Sequence, residues 1–331
     1  MDKRGGVSAA LSLRQVAPGW LRRHPALAAS LFLLALPALA PYPALATDML
    51  VWGLYALGFN LVYGYLGLLS FGHAALFGGG AYACGIVLTR TGLPWWAAVA
   101  AGVLAGTAVA LAMGLLATRT RGIYFAMVTL ALSQCAYFLA YQATAWTGGE
   151  NGLRGVNLGA IRLPGFMAGV TLDFLDPLTR YYIVAAFAVA ALFALARILA
   201  SPFGAAMEAV RENEGRARAC GFNVTLVRLQ GFTLSGAFTG LAGALYALKL
   251  GIVPIEAMDL QVSGQAVMMT LLGGAGTFFG PFVGAALLVG IETQVSAWTE
   301  HWPLLVGALF MACVLFFPRG VWGTLLDRSR L

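Results

Sequence analysis

Between Asp48 and Arg90 the chain reads MLVWGLYALGFNLVYGYLGLLSFGHAALFGGGAYACGIVLT (49–89), 41 residues without an Asp, Glu, Lys or Arg. About 20 apolar residues in a helix cross the hydrocarbon layer. The stretch therefore holds two crossings, 49–66 and 70–89, joined through the glycine-rich run Gly64–Gly72. This pattern fixes the class: an all-α polytopic membrane protein.

Working outward, apolar stretches bounded by charges, glycine or proline predict about ten spans: 26–46, 49–66, 70–89, 94–117, 122–144, 181–199, 227–249, 262–273, 278–298 and 302–317. The eighth is short and runs into Gly273-Gly274-Ala275-Gly276, which predicts a broken or re-entrant segment. The first follows Arg22-Arg23 and resembles a signal peptide, but further spans follow it and no tight small-residue cleavage site does; a retained helix is expected.

Composition agrees. Of 331 residues, 60% are hydrophobic and 10% charged, against about 25% charged in a soluble domain. The four cysteines and three histidines are scattered without metal-ligand or CxxC spacing, which argues against a disulfide framework or zinc site. No catalytic triad or paired carboxylate site is present, so the chain reads as a non-enzyme.

With ten spans and both termini in the cytoplasm, fifteen of the twenty Lys and Arg residues fall inside and five outside (Arg90, Arg154, Arg162, Arg180 and Lys249). Basic residues near span ends stay cytoplasmic, so this orientation is preferred to its mirror image. It divides the chain into a basic N-terminal segment (1–25), a transmembrane domain (26–317) and a cytoplasmic tail (318–331). Within the domain lie an outside loop, 147–180, suited to docking, and an inside loop, 201–226.

The inside loop carries the sharper signal. Ser201-Pro202 predicts a helix start, with proline at the first helical position. A single amphipathic helix is expected over Ala205–Ala219, with Glu208–Arg211, Glu212–Arg216 and Glu214–Arg218 as surface pairs. Gly221 is its C-terminal cap, Asn223 sits in the next turn, and Met207, Val210 and Ala217 form an apolar stripe. A solvated loop helix is the bland reading. A coupling helix that docks on a soluble partner is the functional one, with Glu208, Arg211, Glu212, Asn213, Arg218, Gly221 and Asn223 as its contacts. Neither Lys3 nor Lys249 completes a phosphate-binding loop, so any ATP, with its Mg, must bind another polypeptide.

Polar residues at membrane depth face protein or a water-filled cavity. Asn60, Ser70 and His73 cluster at an interrupted helix junction, and Gly273 and Gly274 open a second break; together they are the candidate translocation path. The competing reading is packing, with His73 as an interior donor. A secondary transporter is the mechanistic rival. It needs a central carboxylate, and none is expected at central depth; Glu292, the nearest, lies toward the outer end of its span.

Five blocks carry a resemblance: Leu61–Tyr82, Arg121–Leu130 (RGIYFAMVTL), Thr147–Gly155 (TGGENGLRG), Ser201–Tyr246 and Leu271–Ala286 (LLGGAGTFFGPFVGAA). In this order they resemble the LivM-type permeases of branched-chain amino acid ABC importers. That resemblance implies a bacterial inner-membrane location, a second, LivH-like permease subunit, two cytoplasmic ATP-binding subunits and a periplasmic solute-binding protein, with membrane lipid as solvent and no nucleic acid. It places the coupling loop at Glu208–Asn223. Glu208-Ala209-Val210 departs from the wider importer signature Glu-Ala-Ala…Gly, and Gly221 follows at a longer interval. Relatives of this type also carry urea and other small polar or organic-acid solutes, so the solute stays open between these and amino acids.

Overall fold

The computed structural model describes residue 37 and residues 42–156, 160–162, 171–174, 176–299, 301–317 and 320–328. The first predicted span, 26–46, lies outside these residues except for Pro37 and 42–46, as do the basic segment 1–25 and residues 157–159, 163–170 and 175 of the loop 147–180.

The principal helices are α1 (Pro43–Asn60), α2 (His73–Arg90), α3 (Trp95–Ala117), α4 (Ile123–Gln142), α5 (Pro177–Leu199), α6 (Pro202–Glu212), α7 (Glu214–Ala219), α8 (Val224–Leu250), α9 (Leu260–Gly273), α10 (Gly280–Ser296), α11 (Trp302–Phe316) and α12 (Gly320–Arg328). Among the described residues, six helical segments are long and apolar enough to cross a membrane, including α1 with its π-helical continuation Leu61–Tyr65, α3, α4, α5 and α8. The protein is a helical multi-pass membrane protein.

The second span begins at Pro43, not Met49. Proline takes the first helical position, and Thr47 Oγ1 donates to the Pro43 carbonyl at 3.0 Å. Asp48 is kept inside the helix because it pairs with Lys249 at the end of α8. At the start of α5, Asp176 accepts from Thr179 Oγ1 (2.8 Å) and Thr179 N (3.0 Å), which holds its carboxyl below the usual range.

α8 is the central post, packed against α2 and α3 through small residues. A Cβ built on Gly106 would lie 2.7 Å from the Gly236 carbonyl oxygen, and one on Gly240 would lie 2.8 Å from that of Gly102. Hydrocarbon supplies no hydrophobic drive between helices, so close backbone approach at small-xxx-small patterns (Gly102/Gly106/Ala110, Gly236/Gly240/Ala244) carries the association.

After α8 the chain turns back. Ile252–Val253 (β4) pairs antiparallel with Leu153–Arg154 (β1), and Ile255–Met258 forms a 3₁₀ turn. A Cβ on Gly85 would meet Leu153 and Val253, and one on Gly78 would meet Met258, so this segment descends along α2. Ser263 Oγ then accepts from Ala74 N at 3.0 Å, near the opposite end of α2. α9 is therefore a half-depth helix fed by a re-entrant strand and turn, in accord with the expected broken eighth segment. Irregular backbone at this depth is tolerated because it is buried in protein. A second small ladder, Ala160–Arg162 (β2) with Thr171–Asp173 (β3), lies in the outside loop. These short strands are the departure from an all-α reading.

Within the tail, residues 320–328 are helical. α12 packs at the glycine break, with Gly320 against Gly274 and Trp322 edge-on to Phe279 at 5.9 Å.

Candidate functional site

The loop 201–226 folds as two helices, correcting the single helix expected over Ala205–Ala219. Asn213 leaves helical geometry (φ −160°, ψ 104°), and its Oδ1 accepts from Arg216 N at 3.0 Å, capping α7. Asn, with a short side chain that competes for backbone donors, is favoured at such a boundary. Pro202 opens α6 as expected, but Ser201 Oγ donates back to the Ile198 carbonyl (2.6 Å) rather than capping the helix. Gly221 takes φ +89° after α7, and Asn223 Oδ1 accepts from Leu226 N at 3.1 Å, capping α8. Met207, Val210 and Ala217 are buried, as their spacing requires.

The break redirects the charges. None of the expected Glu208–Arg211, Glu212–Arg216 and Glu214–Arg218 pairs is among the three ion pairs of the described residues. Glu214 instead pairs with Arg228 at the start of α8, and lies 3.7 Å from Arg121 before α4. Arg228 is 5% exposed, so this carboxylate neutralises a nearly buried guanidinium. Arg211 donates to the Gly64 carbonyl in the π-helical turn after α1, and its Nη1 lies 2.9 Å from where a Cβ on Gly276 would stand. Glu208, Glu212, Arg216, Arg218 and Gly221 remain exposed. A cavity of about 730 Å³ opens here, lined by Leu66–Leu69, Arg121, Arg211, Glu214 and Arg228 among others. One short helical pair thus grips the ends of α1, α4 and α8 and touches the glycine break after α9.

The predicted path residues divide into two buried groups. Asn60 uses both ends of its amide on the second break: Nδ2 donates to the Thr277 carbonyl (3.0 Å) and Oδ1 accepts from Gly276 N (2.9 Å). Asn60 thereby joins the break opened by Gly273 and Gly274. Ser70 and His73 come together elsewhere. His73 Nδ1 lies 3.2 Å from Ser70 Oγ and Nε2 lies 2.9 Å from Ser235 Oγ, whose hydroxyl donates to the Gly58 carbonyl. All four side chains are fully buried, and every ring nitrogen and hydroxyl of the His73 group has a partner within the chain. In this conformation Asn60 and His73 are braces between helices.

Sequence reasoning missed Glu214, Arg228 and Arg121 as one cluster; a lone arginine at the mouth of an apolar span was the available signal. It also missed the placement of one carboxylate. Glu256, on the re-entrant turn, lies between Val253 at Gly85 and Met258 at Gly78, hence level with Tyr82. Helical hydropathy reading placed residue 256 in an outside connection, and only the descent of that connection along α2 brings it beside the middle of that helix.

Comparison with known proteins agrees with this architecture. Residues 43–317 match the family described as branched-chain amino acid transport system / permease component. The chain is 31% identical, over 84% of its length and 69% of the relative's, to the high-affinity branched-chain amino acid transport system permease protein LivM of Salmonella typhimurium. It is 30% identical, with the same coverage, to LivM of Escherichia coli. A shorter match, 31% identical over 51% of the chain and 48% of the relative, is to the autoinducer 2 import system permease protein LsrC of Klebsiella pneumoniae. No solved structure matches. By sequence, by the glycine-broken helices and by the extent of the match, the chain belongs to the family of branched-chain amino acid transport system permease components.

Proposed function

We propose that this chain is the membrane-spanning permease subunit of an ATP-driven importer that moves branched-chain or closely related amino acids across the bacterial inner membrane. It has ten spans with both termini in the cytoplasm. Its partners are a second, LivH-like permease, two cytoplasmic ATP-binding subunits that hold ATP and Mg, and a periplasmic solute-binding protein that docks on 147–180. No cofactor is bound by this chain, and the chemistry of hydrolysis takes place on the partners.

The clustering of basic residues supports the orientation. Arg121, Arg211, Arg216, Arg218 and Arg228 gather at one end of the bundle; Lys249, Arg180 and Arg90 gather at the other, where Arg180 donates to the Lys249 carbonyl at 3.2 Å and Arg90 stacks on Trp146 at 4.6 Å. The observation that carries the functional reading is the attachment of α6–α7 to three spans at once. A push on the exposed Glu208–Arg218 surface reaches α1 through Arg211 and reaches α4 and α8 through Glu214. Asn60 passes displacement of α1 to the Gly274–Thr277 break. That gives each stroke of the ATP-binding subunits a rigid route to the broken segments, the elements able to reopen a central passage.

Replacing Glu208–Asn223 with a Gly/Ser linker is expected to abolish substrate-stimulated ATP hydrolysis in the assembled complex while the subunits still copurify. Stimulation at the wild-type level would overturn the coupling role.

A further inference from the structure

Glu256 is an exposed carboxylate on a turn packed inside the bundle. Its depth follows from α2. Tyr82 stands eight residues from Arg90, about 12 Å along a helix of about 27 Å at 1.5 Å per residue. Glu256 shares that level, near mid-span. A carboxylate there does not face lipid; it looks onto water or onto another polypeptide. It takes part in none of the three ion pairs among the described residues.

One orphaned hydroxyl lies beside it, and a second stands on the neighbouring helix α4. Tyr82 is 5% exposed, and its Oη is buried without a hydrogen-bond partner. This hydroxyl lies within the electrostatic reach of both Glu256 and Tyr137. Ser133, 1% exposed, has an equally unpartnered Oγ and sits on α4 one turn from Tyr137 on the same face. Buried polar atoms left unpaired cost about 1–3 kcal/mol each, so the Tyr82 hydroxyl beside a carboxylate marks a missing donor or acceptor. Gln261, exposed, and Asp259, half-buried, continue the polar strip, and Leu260 beside them is 37% exposed.

We infer that Glu256, with the hydroxyls of Tyr82 and Tyr137, forms a station of the translocation path that receives the ammonium group of an amino acid in transit, with Leu260 beside its aliphatic side chain. This inference rests on the permease reading above. An ammonium brings three donors and a positive charge; the station offers a carboxylate outside the ion pairs of the described residues and the unpartnered Tyr82 hydroxyl. The exposed side of the turn is where the solute enters from the passage, and the apolar Leu260 supplies the complement to a branched side chain. Holding is brief by design, because one carboxylate reached by water binds a hydrated cation only weakly.

The test uses the full importer, with its second permease, ATP-binding subunits and solute-binding protein, in proteoliposomes with radiolabelled leucine. Glu256→Gln and Tyr82→Phe are compared with wild type for uptake, for ATP hydrolysis stimulated by loaded binding protein and for thermal stability. Expected are a tenfold or greater fall in uptake for Glu256→Gln, a fall of threefold or more for Tyr82→Phe, and stimulated hydrolysis within twofold of wild type for both. Wild-type uptake rates in both variants would overturn the station, as would a loss of uptake matched by an equal loss of hydrolysis and of thermal stability in Tyr82→Phe. Wild-type complex that hydrolyses ATP but takes up no leucine would instead overturn the reading on which the station rests.

Discussion

Replacing Glu214 with Gln tests the attachment of α7 to the bundle. The side chain keeps its size but loses its charge, leaving Arg228, 5% exposed, without a counter-ion. Removing one partner of a fully buried ion pair costs about 3–5 kcal/mol, whereas exposed pairs contribute about 0–1 kcal/mol. The Glu214 side chain is 31% exposed and that of Arg228 is 6% exposed, so the pair lies between these limits. A loss of about 2 kcal/mol is expected, or about 30-fold in the docking equilibrium of α7, since each 1.4 kcal/mol is tenfold. Amide hydrogen exchange reads this directly. The Ala217 and Cys220 amides, which donate to the Asn213 and Arg216 carbonyls, should exchange about 30-fold faster in Glu214→Gln. Much of the loss should return in the double variant Glu214→Gln/Arg228→Met, which removes the stranded charge and keeps an aliphatic stem. Unchanged exchange in the single variant, or no recovery in the double, would refute the claim that a nearly buried charge pair fastens α7.

Two further outcomes follow from the packing. His73→Ala should lower the stability of the purified chain by about 2–3 kcal/mol, because the Ser70 and Ser235 hydroxyls lose their shared partner, while the apparent KM for uptake stays at its wild-type value; a raised KM with unaltered thermal stability would make His73 a solute ligand instead of a brace. Gly240→Val should disrupt the α3–α8 crossing by at least about 3 kcal/mol, since its Cβ would stand 2.8 Å from the Gly102 carbonyl oxygen, whereas Gly264→Ala in α9, with nothing within 4 Å, should stabilise by about 0.5–1 kcal/mol; thermal unfolding in detergent ranks the two, and the reverse order would contradict the packing described.

The sequence alone determined the class and most of the span positions. Forty-one residues without a charge admit no solvent but lipid, and the length of a spanning helix is set by bilayer thickness rather than by neighbours. Local chemistry likewise determined the caps: Pro202 opens α6, Gly221 closes α7, and the apolar stripe of Met207, Val210 and Ala217 turns inward. Tertiary structure decided everything that depends on which distant groups meet. Glu214 has Arg218 available on its own helix, yet Arg228 and Arg121, brought beside it by the fold, offer a carboxylate more than an exposed surface pair does, because one of them is almost without water. Asn60 and His73 read alike in the sequence, as polar residues in a broken span; Thr277 and Ser235, more than 160 positions away, turn both into braces. Glu256 sits only seven residues past the end of the predicted span 227–249, where hydropathy assigns an outside loop. Its place at mid-depth comes from the re-entrant path of its neighbours along the glycine face of α2, a contact between surfaces that no local pattern of residues encodes.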